Sequence, residues 1–280
     1  MRSKFAFLLV FIIVINSPSS LAVTSTTHEV LDARAIAQLV ADRPANEGRV
    51  GTMHFRLVNN ANRERTREAL MVHSDKNDIE RIAIFFTQPS IIEETAFLSL
   101  NYDEDEDDNW LYLPATERVR RLPASDRGDY FLGTDLTYGD IKDNFKFNMS
   151  DWDFALGDTG DDESEQADNS HVRLLVGTAK SPEISTELGY ASFKAKIDVT
   201  TAFPVWIEYT DVDGETLKIV EVLDIGLIGG AQTALHFTAK NLQTGHKTDV
   251  HFTGMRHVPN LDETIFEPDT LAYGVPDLDD

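Results

Sequence analysis

What most restricts the fold of this chain is its rhythm: short apolar or alternating runs, each a few residues from the next, recur along nearly its whole length. Met53, Phe55 and Leu57 alternate with His54, Arg56 and Val58; Arg65, Arg67 and Ala69 lead into Met71 and Val72; runs at 79–86, 96–100 and 110–113 follow. The same pattern returns at 171–179, 190–199, 204–210, 216–227, 233–239 and 248–255, with Asp211-Val212-Asp213-Gly214 as a hairpin turn. Connections this short suit antiparallel hairpins and leave no room for crossover helices, which excludes doubly wound and helix-wrapped barrel architectures. The count is ten or eleven strands, in a mainly β chain. A sheet that wide curls because strand twist accumulates, and its concave face must be filled by side chains, a helix or a ligand.

Three stretches depart from the rhythm. An apolar stripe of Val30, Leu31, Ile36, Leu39 and Val40 predicts a leading helix over 27–41, ended by Pro44 and Gly48. Pro114 and Pro123 bracket a short basic strand, 117–122, after which 128–141 reads as a long structured loop with helical turns. Residues 145–156 fit either a strand or an irregular crossing.

Arg2 and Lys4 precede an apolar run from Phe5 to Ile15 and a small-residue exit at Ser20-x-Ala22, which predicts a secretory signal peptide over 1–22 and one domain over 23–280. With no cysteine, that domain has no disulfide to stabilise it and depends on its own core. The net charge is −23, or −25 without Arg2 and Lys4, a field that repels nucleic acid and anionic head groups alike. Much of the acid is concentrated in loops near 101–109 and 157–170, neither of which has the ligand and glycine alternation of a calcium loop.

No catalytic set is legible. The eight histidines are scattered, and His246, His251 and His257 lack zinc-motif spacing. There is no nucleophile elbow or phosphate loop, so neither enzyme, metal nor cofactor is expected. The residues that stand out are aromatic and basic. Phe85, Phe97, Trp110, Phe131, Phe147, Trp152, Phe154 and Trp206 either pack a solid interior or line a ligand cavity. Arg118, Arg120, Arg121 and Arg127 either meet an anionic head group or partner at the rim, or pair internally with Asp126, Asp129 or Asp135. Strand alternation puts Arg118 and Arg120 on one face and Arg121 on the other.

The segments Phe86-Thr-x-Pro89, Thr95-Ala-Phe-Leu98, Trp110-x-Tyr-Leu-Pro114 with Arg118-Val-Arg-Arg121, and Asp126-Arg-x-x-x-Phe131-x-Gly133-Thr-Asp-x-Thr137-Tyr138 together resemble the outer-membrane lipoprotein-sorting-like proteins of the LolA-like family. The resemblance implies a strongly curved, incompletely closed antiparallel β-barrel, apolar inside, with helices covering the opening. It implies a periplasmic carrier of a lipid or lipidated protein, working beside a large inner-membrane permease of the RND/MMPL type. The leading helix, through Val30, Ile36, Leu39 and Val40, is then part of a lid. The competing expectation is an accessory subunit of such a permease complex that encloses no cargo.

Overall fold

The computed structural model describes residues 32–45, 47–102, 107–158 and 171–278. The expected signal peptide, Val30, and the acidic runs 103–106 and 159–170 lie outside these residues.

The described strands are β1 (Arg49–Val58), β2 (Glu64–Lys76), β3 (Ile79–Gln88), β4 (Ala96–Tyr102), β5 (Asp108–Leu113), β6 (Arg118–Leu122), β7 (Trp152–Leu156), β8 (Val172–Ala179), β9 (Ser192–Asp198), β10 (Phe203–Thr210), β11 (Thr216–Ile228), β12 (Ala231–Asn241) and β13 (Lys247–His257). They form one antiparallel sheet in the order β6-β5-β4-β3-β2-β1-β13-β12-β11-β10-β9-β8-β7. Each strand therefore pairs with its neighbour in sequence, except that β1 pairs with β13. The two edges, β6 and β7, are consecutive in the chain and do not pair, so the sheet stays open between them.

Thirteen strands exceed the ten or eleven expected. Part of the difference lies in the ambiguous 145–156 run, where Asn144 and Phe145 both take left-handed backbone (φ 47° and 62°) and separate a crossing segment from a true strand, β7. The hairpins follow their local chemistry. Asn77 and Asp78 make a two-residue loop with positive φ at both positions, and the Asp211 carboxylate accepts from the backbone N–H of Asp213 and Glu215.

Curvature is visible in what the sheet brings together. Ile84 on β3 and Phe193 on β9 line one cavity, although seven strand spacings separate them, roughly 34 Å on a flat sheet at about 4.8 Å per strand. Register slips between Val50 and Thr52 in β1, between Pro204 and Trp206 in β10 and around Asp224 in β11 supply local bends.

The concave face is covered by the segment joining β6 to β7, which contains α2 (Tyr138–Asp143). The first helix, α1 (Ala33–Ala41), is capped by Asp32 and buries Ile36, Ala37 and Val40. It packs against β7 and β8. A further helix, α3 (Pro182–Leu188), went unread in the sequence although its signals are strong: Ser181 caps it, Pro182 opens it and Gly189 (φ 74°) ends it. On the opposite face, short 3-10 helices at Glu263–Phe266 and Pro268–Tyr273 cover strands β3 to β6. Leu261, Ile265, Phe266 and Leu271 pack there on Phe85 and Leu98. Among the described residues no helix is long and apolar enough to cross a membrane.

Candidate functional site

The site is built around the crossing segment. Phe131 is fully buried in a ring cluster with Phe86, Phe97 and Tyr138, at centroid distances of 6.0, 5.4 and 5.4 Å. The backbone N–H of Asp135 donates to Thr248 Oγ1 (2.9 Å), and its carboxylate is bonded to His246 Nδ1 (2.6 Å) and Thr248 Oγ1 (2.7 Å). Thr137 and Asp140 form a capping box at the start of α2. The Asp140 carboxylate also meets the fully buried Lys218 ammonium, which donates to the Asp135 carbonyl at 2.9 Å as well. Tyr190 donates to Asp140 at 3.0 Å; burial, then the Asp140 charge, push its hydroxyl well above the usual tyrosine range. At the β7 end, Arg127 is clamped by Asp151 (2.9 Å) and Glu187 (3.2 Å). Lys142 on α2 contacts Asp143 at 2.9 Å and Asp107 at 2.5 Å; burial alone would lower it, but these carboxylates raise it. The 126–138 signature is thus an anchoring device that fastens α2 across the mouth of the curved sheet.

Beneath α2 lies a cavity of about 80 Å³, room for several waters. Its walls are mainly apolar: Met53, Met71, Ile82 and Ile84 come from β1 to β3, and Ile207, Val220 and Phe237 from β10 to β12. Ile141, Phe145 and Phe147 close it from the crossing segment.

One end of the cavity is polar. Arg49 and His73, register partners on β1 and β2, both line it. Glu80 accepts from His73 Nε2 (2.7 Å), Asn144 Nδ2 (3.2 Å) and Lys146 Nζ (3.3 Å). Burial alone would raise the Glu80 carboxyl, but the His73 bond and the neighbouring Lys146 charge outweigh it and hold the group well below the usual carboxylate range. Burial, then the Arg49 charge, lower His73 to about 4. The imidazole is therefore neutral, with its hydrogen on Nε2 and a lone pair on Nδ1.

The aromatics expected to line a cavity are distributed. Phe147 and Trp152 line it. Phe154 packs behind them against Phe193 at 6.4 Å, and Phe97 and Phe131 belong to the neighbouring ring cluster. Phe85 and Trp110 face the other side of the sheet, beneath the C-terminal segment. Trp206 is on the outer surface under Lys196, 5.8 Å from the ring centroid. Of the expected lid, Ile36 and Val40 are fully buried in the main core, Leu39 is partly exposed, and none lines the cavity; α2 and the residues after it cover it instead. The aliphatic walls and the Arg49–His73 end were missed. Alternation in β1 marked Met53, but nothing local marks a buried charge.

Arg118 and Arg120 are exposed on β6, on the face shared with Leu122. Arg121, on the face shared with Val119, pairs with Asp108. Arg127 pairs internally, with Asp151 and Glu187 in place of the acids expected. The His251 ring lies near those of His54, tilted at 6.4 Å, and His236, edge-on at 5.6 Å. Among the described residues no group of three or more His, Cys, Asp or Glu is placed to hold a metal ion.

An open, curled antiparallel sheet with a covered concave face defines the LolA-like fold, and solved structures with that fold superpose on this chain. An outer-membrane lipoprotein-sorting protein domain described from Vibrio parahaemolyticus aligns with a TM-score of 0.74 at 24% identity, covering 86% of this chain and 98% of its own. A DUF1329 family protein from Desulfovibrio piger gives 0.72 at 22%, covering 86% and 99%. A LolA superfamily protein from Nitrosomonas europaea gives 0.60 at 18%, covering 85% and 99%. No curated protein matches. The chain belongs to the family whose model, described as an uncharacterized protein, matches residues 78–273.

Proposed function

We propose that the chain is a periplasmic carrier that shelters the acyl part of a lipid or lipidated protein in the cavity beneath α2, exported by a signal peptide over 1–22 and working with an inner-membrane exporter of the RND/MMPL type. The observation that carries this reading is the apolar cavity enclosed between the sheet and the crossing segment. Each methylene left in water costs about 0.8 kcal/mol, so passage across an aqueous space needs a hollow with apolar walls. At about 80 Å³ the hollow is contracted, and a long acyl chain enters only when α2 and residues 144–147 swing outward. The open seam between β6 and β7, which that segment bridges, provides the freedom. Arg118 and Arg120 stand at this seam, where they can meet an acidic partner. No catalytic role is assigned.

The accessory-subunit reading draws on one observation: Leu223 and Leu227 on β11 are more than half exposed, an apolar surface suited to a protein contact.

Native mass spectrometry of protein released gently from the periplasm tests the proposal. A copurifying lipid of defined mass supports carriage; repeated recovery of the bare polypeptide removes it and favours the accessory reading.

A further inference from the structure

At the polar end of the cavity Arg49 forms part of the wall and Arg43 belongs to the adjoining pocket, and among the described residues neither guanidinium makes an ion pair. Arg43 is 6% exposed and Arg49 4% exposed, and among the described residues neither has a carboxylate within 4.0 Å. Arg43 donates to the carbonyls of Asn144 (3.0 Å), Ala202 (3.1 Å) and Phe145 (3.2 Å) and stacks on the Phe203 ring. Arg49 Nη1 donates to the Thr233 hydroxyl at 3.0 Å. Glu80, the carboxylate between them, is already shared by His73, Asn144 and Lys146. Burial accordingly lowers Arg43 to about 10 and lowers Arg49 as well. Glu80 acts on both guanidinium groups, and Asp75 on Arg49, only from beyond ion-pair distance, and an interior charge with no carboxylate in contact is costly.

Two atoms make the place specific. Arg49 Nε, a donor, and His73 Nδ1, an acceptor in the neutral ring, are both buried and unbonded among the described residues. They belong to directly paired residues of adjacent strands, whose side chains share one face, and both residues line the same cavity. A donor beside an acceptor, backed by two cations, is complementary to an oxyanion with a hydroxyl or an ordered water at its side. The cavity is also lined by Asp140 and Asp143, whose carboxylates are engaged by Lys218 and Lys142, while Met53, Ile84 and Phe237 give it apolar wall.

We propose that Arg49, with His73 beside it and Arg43 behind it, is a head-group site for an acidic amphiphile, whose carboxylate or phosphate oxygen accepts from Arg49 Nε–H while the acyl chain lies along Met53, Ile84 and Phe237. This rests on the carrier reading and adds to it the charge class of the cargo. Thr233 orients the guanidinium, and Glu80 fixes the ring hydrogen on His73 Nε2, so that Nδ1 is presented to the ligand.

The test is calorimetric titration of the full chain with dodecanoate, monododecyl phosphate and dodecanol, which share one tail. The acidic ligands bind at least about tenfold more tightly than dodecanol, the worth of one charge-assisted hydrogen bond. Arg49→Gln removes that preference and leaves dodecanol unchanged. Whichever acid binds more tightly distinguishes a fatty-acid source from a phospholipid one. Equal binding of acids and alcohol overturns the head-group site, with waters filling it instead, and leaves the carrier reading intact. Binding of none of the three overturns both. If Arg49→Gln does not fold, the comparison of ligands on the unaltered protein decides alone.

Discussion

Asp140 is the point at which α2 is fastened, and Asp140→Ala is the sharpest test of that anchoring. Its carboxylate meets Lys218, whose side chain is 0% exposed, closes the capping box with Thr137, and accepts from Tyr190. Removing one partner of a buried ion pair costs about 3–5 kcal/mol, because the other charge stays buried alone. Loss of the cap adds about 1 kcal/mol. Both losses come from a single carboxylate and overlap, so the expected total is about 4 kcal/mol. Urea unfolding followed by tryptophan fluorescence then shows a midpoint lower by about 1–2 M with an unchanged slope. Lys218→Met in the Asp140→Ala background removes the stranded charge, so the double variant recovers part of the loss, with a coupling of about 2 kcal/mol. A single-variant cost under about 1 kcal/mol, or strict additivity, refutes the idea that this pair holds the crossing segment.

Other consequences follow from the same geometry. His73 has a folded value of about 4 against about 6.5 unfolded. In that window the unfolded chain takes up the proton and the folded one does not, so stability is lost as pH falls from 6.5 towards 4, by about 3 kcal/mol. Glu80, held low in the folded chain, adds a further loss below its ordinary range. His73→Gln flattens the upper part of this profile, and matching slopes in the two proteins count against the assignment. Arg127→Ala costs about 3 kcal/mol in thermal or urea unfolding because it strands Asp151, whereas Arg118→Ala and Arg120→Ala each stay within about 0.5 kcal/mol; equal effects at all three contradict these placements. Gly177→Ala would place a Cβ 2.2 Å from the Phe193 ring, and the displaced ring lowers the unfolding free energy by about 1–3 kcal/mol. A neutral result there means the core around Phe193 is looser than described.

The antiparallel order was legible because short connectors permit little else, and the covered concave face followed from the width of the sheet. Which aromatics face inward was less legible. At Ile82 to Phe86 every residue is buried, since the main core covers one face and the C-terminal 3-10 helices the other. Two-sided burial erases the alternation that reports a side chain's direction. Phe85 and Phe86 therefore look equivalent in sequence and lie on opposite sides of the sheet. The role of α1 was obscured differently, because an amphipathic stripe states that a face is buried but not against what. The charged end of the cavity depends on Arg49 meeting His73 across a strand pair and Lys146 reaching Glu80 from 66 residues away, contacts that only the completed topology creates. The 126–138 signature stands out in the sequence through its family resemblance, and its polar residues hold backbone and helix in place.

The central claim is that the space under α2 accepts a hydrocarbon tail, and the most direct measurement is equilibrium titration with a fluorescent fatty acid, comparing the unaltered protein with Ala234→Phe. Ala234 lines the cavity and is 7% exposed, so a phenyl ring there occupies the hollow without altering the outer surface. The account predicts saturable binding by the unaltered protein and at least about tenfold weaker binding by a variant that still unfolds cooperatively. Equal affinity in both proteins, or no saturable binding by either, contradicts it.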